Sequence, residues 1–288
     1  MRLFYYVHTG HRIGLDRFRR AATIIRAMGD TDITLLTSDF RIGAEAREHG
    51  VKRAVCVDVV RNIPQIAHHG DKIIFDSAES NPTQIEEMTR FFSSFIRVSD
   101  DPEDVKHENE LLISPYMEGE GICNAVVVDD EYFGEFEKTM GTVFFFGDDD
   151  YEEDIFNHLA MFEGLNMDIL TGFYYFFDYE EKIAPAFNKQ YNPDEYDDVI
   201  KHAKVLVTSS PQAALESLAA GGKPIYLQRP DYPRDHLNYI RKCNIPVIDG
   251  FNREVLSELL TTVDSQSYHT IPKSSKSTVE FIRKSFDL

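Results

Sequence analysis

The chain has 288 residues, enough for one large domain or two of ordinary size, and its 42% hydrophobic and 12% aromatic content supports a packed core rather than disorder. Its 49 acidic residues against 30 basic ones give a formal net charge of −19, a field that repels phosphate backbones and speaks against general nucleic-acid binding. A single phosphate ligand stays open, because a helix N-terminus can hold one locally. Cys56, Cys123 and Cys243 are scattered without a CxxC pair, which suits a reduced intracellular protein and provides no metal framework. The apolar run at residues 1–7 is too short for a signal peptide, and no run reaches the length of a membrane span. The expectation is a soluble cytoplasmic protein without integral membrane association.

Short apolar runs then alternate with amphipathic stretches. Strands are predicted at residues 3–7, 33–37, 54–57, 72–75 and 95–98, with helices at 16–28, 43–49, 63–68 and 83–92. Asp16 suits the N-cap of the first helix and Gly29 its stop. A charged stretch around 129–138 precedes a second series, with strands at 143–146, 167–171, 205–207, 224–227 and 246–248. Helices are predicted there at 151–163, 195–202, 212–220, 235–242 and 253–263, and the acidic segment 178–198 reads as a surface excursion. Continuous apolar strands alternating with helices argue for parallel sheets covered on both faces. The expected fold is therefore α/β, with two Rossmann-like doubly wound domains facing a cleft. Residues 1–138 would form an N-terminal domain and 139–272 a C-terminal one. Residues 273–288 would form a helix packing back across both.

The most informative stretch is 207–227, a buried strand ending in Thr208-Ser209-Ser210, a short helix, then Gly221-Gly222 and another buried strand. Such a turn brings unpaired helix N–H groups to the carboxyl end of a strand, where α/β proteins bind anions. Ser209, Ser210, Gln212 and Ala213 would meet a diphosphate or base through hydroxyl, amide and backbone donors. Glu216, on the same helix, would accept hydrogen bonds from ribose or sugar hydroxyls. Pro211 suits the first helical position but removes one donor N–H.

Other residues carry a chemical and a plainer reading side by side. His8 and His11 flank Gly10 in the first strand–helix loop, as bases or as solvated loop histidines. Gly14 permits a tight turn and brings backbone close to a ligand. Arg12, Arg17, Arg19 and Arg20 either face a phosphate or solvate a helix face. Asp148-Asp149-Asp150 offers carboxylates to a cation, yet acidic residues beside a helix start are favoured by the dipole alone, and no metal is expected. His236 and Asn238 would line the sugar side, or His236 would serve only as a helix-cap neighbour of Asp235.

In order and spacing, several motifs resemble the GT-B glycosyltransferase superfamily in its short form, most of all the UDP-sugar hydrolase of pseudaminic acid biosynthesis. Ile13-Gly-Leu-Asp-Arg-Phe-Arg-Arg20 resembles its Ile-Gly-x-Gly-His-x-x-Arg opening, and Ile73-Ile-Phe-Asp76 its strand ending in Asp. Val143-Phe-Phe-Phe-Gly147-Asp-Asp-Asp150 resembles its second-domain turn. Ser210–Gly222 resembles its Gly-Gly-Ser-Thr-x-x-Glu helix, and Asp235-His236-Leu-Asn238 the following polar turn. The resemblance implies a UDP-sugar or related nucleotide-sugar as partner, no cofactor, and Asp76, Gly147 and Asp16 among the site residues. This sequence departs from the family where Asp16-Arg17 replaces its Gly-His, Ala78 a tyrosine, Asp148 the second turn glycine, and Ser210-Pro211-Gln212 its Gly-Gly-Ser. An arginine cannot be a general base near neutral pH. The implied activity is glycosyl transfer or nucleotide-sugar hydrolysis in surface-glycan or modified-sugar biosynthesis. The alternatives are a non-catalytic nucleotide-sugar or protein-binding module, and a two-lobed small-molecule binder unrelated to nucleotides.

Overall fold

The computed structural model describes residues 1–79 and 81–288. The chain divides into two compact units, the first holding Met1–Gly10, Arg17–Val127 and Lys273–Leu288, the second His11–Asp16 and Val128–Pro272.

In the first unit, strands β1 (Leu3–Val7), β2 (Ile33–Thr37), β3 (Arg53–Cys56), β4 (Lys72–Asp76), β5 (Ser94–Val98), β6 (Leu111–Ser114) and β7 (Ile122–Asn124) form one parallel sheet. Their order is β3-β2-β1-β4-β5-β6-β7. Every residue of β1 and β4 is buried, in register from Leu3 opposite Lys72 to Val7 opposite Asp76. Burial on both faces is why these strands read as unbroken apolar runs. Helices α1 (Asp16–Ala27), α2 (Ile42–Glu48), α3 (Ile63–Ile66) and α4 (Pro82–Phe91) follow successive strands. The start of α4 is set by Asn81, whose side chain accepts from the Gln84 N–H, and by Pro82 at the first position. Phe4, Tyr6, Ile73, Phe75 and Phe95 form the centre of one apolar cluster.

The second unit carries β8 (Met140–Phe145), β9 (Met167–Leu170), β10 (Gln190–Tyr191), β11 (Ala203–Thr208), β12 (Lys223–Gln228) and β13 (Val247–Asp249), parallel and ordered β10-β9-β8-β11-β12-β13. Its helices are α5 (Asp154–Asn157), α6 (Phe177–Ile183), α7 (Tyr196–His202), α8 (Pro211–Ala219), α9 (Leu237–Lys242) and α10 (Arg253–Thr262). Ser210 caps α8 by accepting from the Ala213 N–H at 3.0 Å. Phe144, Phe146, Ile169, Val207, Ile225 and Leu227 line its core. The terminal helix α11 (Ser275–Phe286) packs with the first unit, where the Ser94 hydroxyl donates to the Ser285 carbonyl and Lys72 to that of Phe286. Both sheets have the β-strand order of doubly wound nucleotide-binding folds.

Two expectations need correction. The helix predicted at 151–163 is interrupted: α5 begins only where the Asp150 carboxylate accepts from the N–H groups of Asp154 and Ile155. The Arg253 guanidinium then takes the carbonyls of Ala160, Met161 and Glu163, which turns that backbone away from a continuous helix. The segment 178–198 is not a surface excursion, since it contains most of α6 and all of β10 and sends Tyr179 and Ile183 into the core. Their spacing places both on one helix face.

Gly172 approaches the turn after β8 closely. A Cβ there would lie 2.5 Å from the Gly147 carbonyl oxygen and 2.6 Å from the Asp148 carbonyl carbon. Gly172→Ala should therefore lower stability in urea by about 2 kcal/mol, because main chain and not a flexible side chain must move. An unchanged urea midpoint would contradict that close approach.

Candidate functional site

In the second unit the strand order reverses between β8 and β11, the place where open α/β sheets bind ligands. The chain leaves β8 through Phe146-Gly147-Asp148-Asp149 and leaves β11 through Ser209-Ser210 into α8. Gly147 has φ 126°, a conformation that side-chain-bearing residues avoid. The segment His11–Asp16 of the same unit lies against both turns. Asp149 accepts from the Arg12 N–H at 2.6 Å and lies 3.2 Å from His11 Nδ1, while Asp148 accepts from the Leu15 N–H at 3.0 Å. The Tyr232 hydroxyl donates to the Ile13 carbonyl at 2.7 Å.

Asp16 completes this arrangement. Its carboxylate accepts from the Ser210 hydroxyl at 2.6 Å and, more weakly, from the Gln212 N–H at 3.4 Å. The amino end of α8 thus already holds an anion, the charge its dipole favours. The cavity left among Gly14, Asp16, Asp148, Ser209 and Arg229 is ≈ 10 Å³, room for about one water. The Ser209 hydroxyl is buried there with no hydrogen-bond partner among the described residues.

Arg229, at the carboxyl end of β12, adds the principal buried positive charge. It grips Asp231 through Nε and Nη2 at 3.0 and 2.7 Å, donates Nη1 to the Asp149 carbonyl at 2.9 Å, and lies over the Phe146 ring. Burial pushes the neighbouring Asp150 carboxyl above its ordinary range, against the lowering effect of the Tyr179 hydroxyl and two backbone N–H groups. The carboxylates of Asp148, Asp149 and Asp150 are turned to separate donors and do not converge on one point.

The structure brings Gly14, Asp16, Gly147, Ser209, Ser210 and the backbone of Gln212 and Ala213 together. Glu216 does not join them. It is 1% exposed and accepts from the Tyr196 hydroxyl at 2.6 Å and from Gln212 Nε2 at 2.8 Å. The expected sugar-facing carboxylate is instead an internal acceptor, and it turns the Gln212 side chain inward with it. His236 places Nε2 3.0 Å from the Tyr226 hydroxyl, with its ring against Tyr226 and Tyr232, and Asn238 stands exposed on α9. Arg229, Tyr232 and Tyr196 escaped the sequence reading. Arg229 did carry a signal, as a charged residue immediately after a buried apolar strand.

The remaining candidates lie in the first unit. Asp76 is 0% exposed and accepts from Arg20 Nε and Nη2 at 2.9 and 2.7 Å and from the Tyr5 hydroxyl at 3.2 Å. Arg17 Nε lies 3.6 Å away, and Arg20 also chelates Asp100 at 2.7 and 2.9 Å. Asp76, expected as a catalytic residue, stands in this structure as a buried counter-ion of Arg20. His8 Nε2 is 3.5 Å from Glu79, while its Nδ1 is buried without a partner among the described residues. Burial lowers the His8 pKa below its ordinary value, partly opposed by Glu79.

No family model and no curated protein matches the sequence. Similarity appears among known structures. The UDP-GlcNAc 2-epimerase of Methanocaldococcus jannaschii, in complex with UDP-GlcNAc and UDP, has a TM-score of 0.65 at 11% identity over 100% of both chains. The spinosyn rhamnosyltransferase SpnG has 0.62 at 7% identity, covering 100% of this chain and 96% of its own. Anabaena HepE in complex with UDP-glucose has 0.59 at 11% identity, covering 100% and 98%. The fold is of GT-B type, built from two Rossmann-like units.

Removing Asp76 tests its assignment. Asp76→Ala should destabilise the protein by about 3 kcal/mol, because Arg20 Nε and Nη2 and the Tyr5 hydroxyl would lose their acceptor in a dry interior, leaving Arg20 only Asp100 through Nη1. A loss under about 1 kcal/mol would restore Asp76 as a candidate reactive group. His8 should titrate below about 6.5 in an NMR pH series. Because the unfolded chain then binds that proton more readily, stability contributed by His8 is present above the ordinary histidine pKa and lost as pH falls through it.

Proposed function

We propose that the chain binds a nucleotide-sugar, a UDP-sugar, on its second unit at the loop between β11 and α8. The observation that carries this is the carboxylate seated at the start of α8, at the switch point of a parallel sheet. It marks the place as an anion site, and a diphosphate answers the same donors. Ser209, Ser210 and the N–H groups of Gln212 and Ala213 would hold the phosphates, with the Gly147 backbone allowing close approach. His236 and Asn238 would face the sugar. The structures similar to this one that contain UDP, UDP-GlcNAc or UDP-glucose support the same ligand class.

In this reading Asp16 occupies the ligand's place and must leave. The cavity lining carries Asp16, Asp148 and Asp149 against Arg12 and Arg229. Departure of Asp16 removes the surplus negative charge. The reaction would be glycosyl transfer, or hydrolysis at the bond between anomeric carbon and diphosphate, with His11 as base. His11 Nδ1 is oriented by Asp149, and its ring lies 4.6 Å from that of Tyr174.

A second reading is favoured by that same occupancy: a non-catalytic module that keeps the fold and fills its own site. Calorimetry with UDP tests the shared premise. Asp16→Asn should bind UDP about tenfold more tightly than the natural chain, since it removes the competing charge. If UDP binds neither form, both versions of nucleotide binding are wrong. Release of free UDP from UDP-sugars, lost in His11→Ala, would decide for the enzyme.

A further inference from the structure

We propose that a hollow at the carboxyl ends of β12 and β13 is a second ligand site, for a small organic anion that also carries a hydroxyl or ammonium donor. It measures ≈ 280 Å³ and lies wholly within the second unit. Nothing in the nucleotide reading uses it.

Two features give it chemical character. Gln228 is 1% exposed, and its amide nitrogen donates to the carbonyls of Arg229 and Tyr232 at 2.8 and 3.1 Å. Those two carbonyls fix which way the amide points. Its Oε1 is left buried without a donor among the described residues, on a side chain that lines the hollow. A carbonyl oxygen buried unpaired costs stability that a ligand donor would recover. The second feature is Arg241, exposed on α9, with no carboxylate partner among the described residues although the chain has 49 acidic residues. Beside it Arg234 reaches Asp249 at 2.7 Å, with side chains 59% and 69% exposed. Such a surface pair is weak enough for an incoming anion to share.

The occupant follows from these groups. Arginine forks select a carboxylate or a phosphate. Gln228 Oε1 only accepts, so anions that carry no proton, such as sulfate, leave it unanswered, and the ligand needs a donor beside its charge. Leu237 and Ile245, both buried, supply an apolar wall for a short carbon chain. Hydroxy acids and sugar phosphates share this chemistry.

The test uses glycerate and glycerol 3-phosphate as probes, with glycerol as the uncharged control, on the full chain by ¹H–¹⁵N NMR titration. Saturable shifts at Arg241 and Gln228 with either probe, and none with glycerol, are expected. Response to one probe alone identifies the carboxylate or the phosphate as the natural group. Arg241→Gln, at an exposed position that leaves the fold intact, should weaken binding about tenfold. No saturable shift in the natural chain with either probe overturns the proposal, as does unchanged affinity in Arg241→Gln.

Discussion

The amino end of α8 cannot be left bare. Its first N–H groups have no acceptor within the helix, they sit at the reversal point of a parallel sheet, and the neighbouring strands bury the whole turn. Ser210 answers the Ala213 N–H, and Asp16 answers both Ser210 and the Gln212 N–H. Once Asp16 is drawn there, Leu15 and Arg12 follow, their N–H groups finding Asp148 and Asp149, and Ile13 offers its carbonyl to Tyr232. A carboxylate in such a place is worth about 1–2 kcal/mol. That magnitude decides how to read the occlusion. Displacing it lowers the apparent affinity of an incoming anion by a factor of roughly 5–30, a tax and not a prohibition.

Burial also settles which acidic residues can react. In a chain of net charge −19, carboxylates are abundant, but those that enter the interior each have a partner. Asp76 is neutralised by Arg20, Glu110 by Arg97, and Glu216 is met by Tyr196 and Gln212. Desolvating a carboxylate without such company costs several kcal/mol. The interior therefore selects for acids that are already spent. His8 is the opposite case: its Nδ1 is buried with no partner among the described residues and burial lowers its pKa, so it favours the neutral form.

These distinctions explain what could be read in advance. Strands such as β1, β4, β11 and β12 were legible because parallel strands buried on both faces are continuous apolar runs. Strands β6, β7 and β10 were not, being two to four residues long beside charged neighbours. The loop-to-helix turn at Ser209–Pro211 was legible from its local chemistry of small polar residues and proline. The direction of Glu216 was not, because it depends on Tyr196, which comes from another helix. Asp16 reaches Ser210 across 194 residues, and no local pattern encodes such a contact. The helix expected at 151–163 failed for a similar reason, since the arginine that unravels its end lies about 90 residues away.

The departure of Asp16 would expose a difficulty that the structure also resolves. Arg229 is a buried cation beside the turn, yet its Nε and Nη2 are taken by Asp231 and its Nη1 by the Asp149 carbonyl, so it cannot swing to a diphosphate without giving up all three bonds. Arg12 is held differently. Its backbone N–H is anchored on Asp149, while its guanidinium lies over the exposed Tyr151 ring, 3.8 Å from the centroid, and pairs with Glu152 at 3.5 Å, the Arg12 and Glu152 side chains being 61% and 65% exposed. An exposed ion pair and an exposed cation–π contact each contribute no more than about 1 kcal/mol, so re-aiming the guanidinium costs little beside breaking a buried pair. In the proposed reading the same segment that surrenders Asp16 thus retains a mobile cation to offset charge on the leaving diphosphate, and one short stretch of chain serves as both occupant and counter-ion.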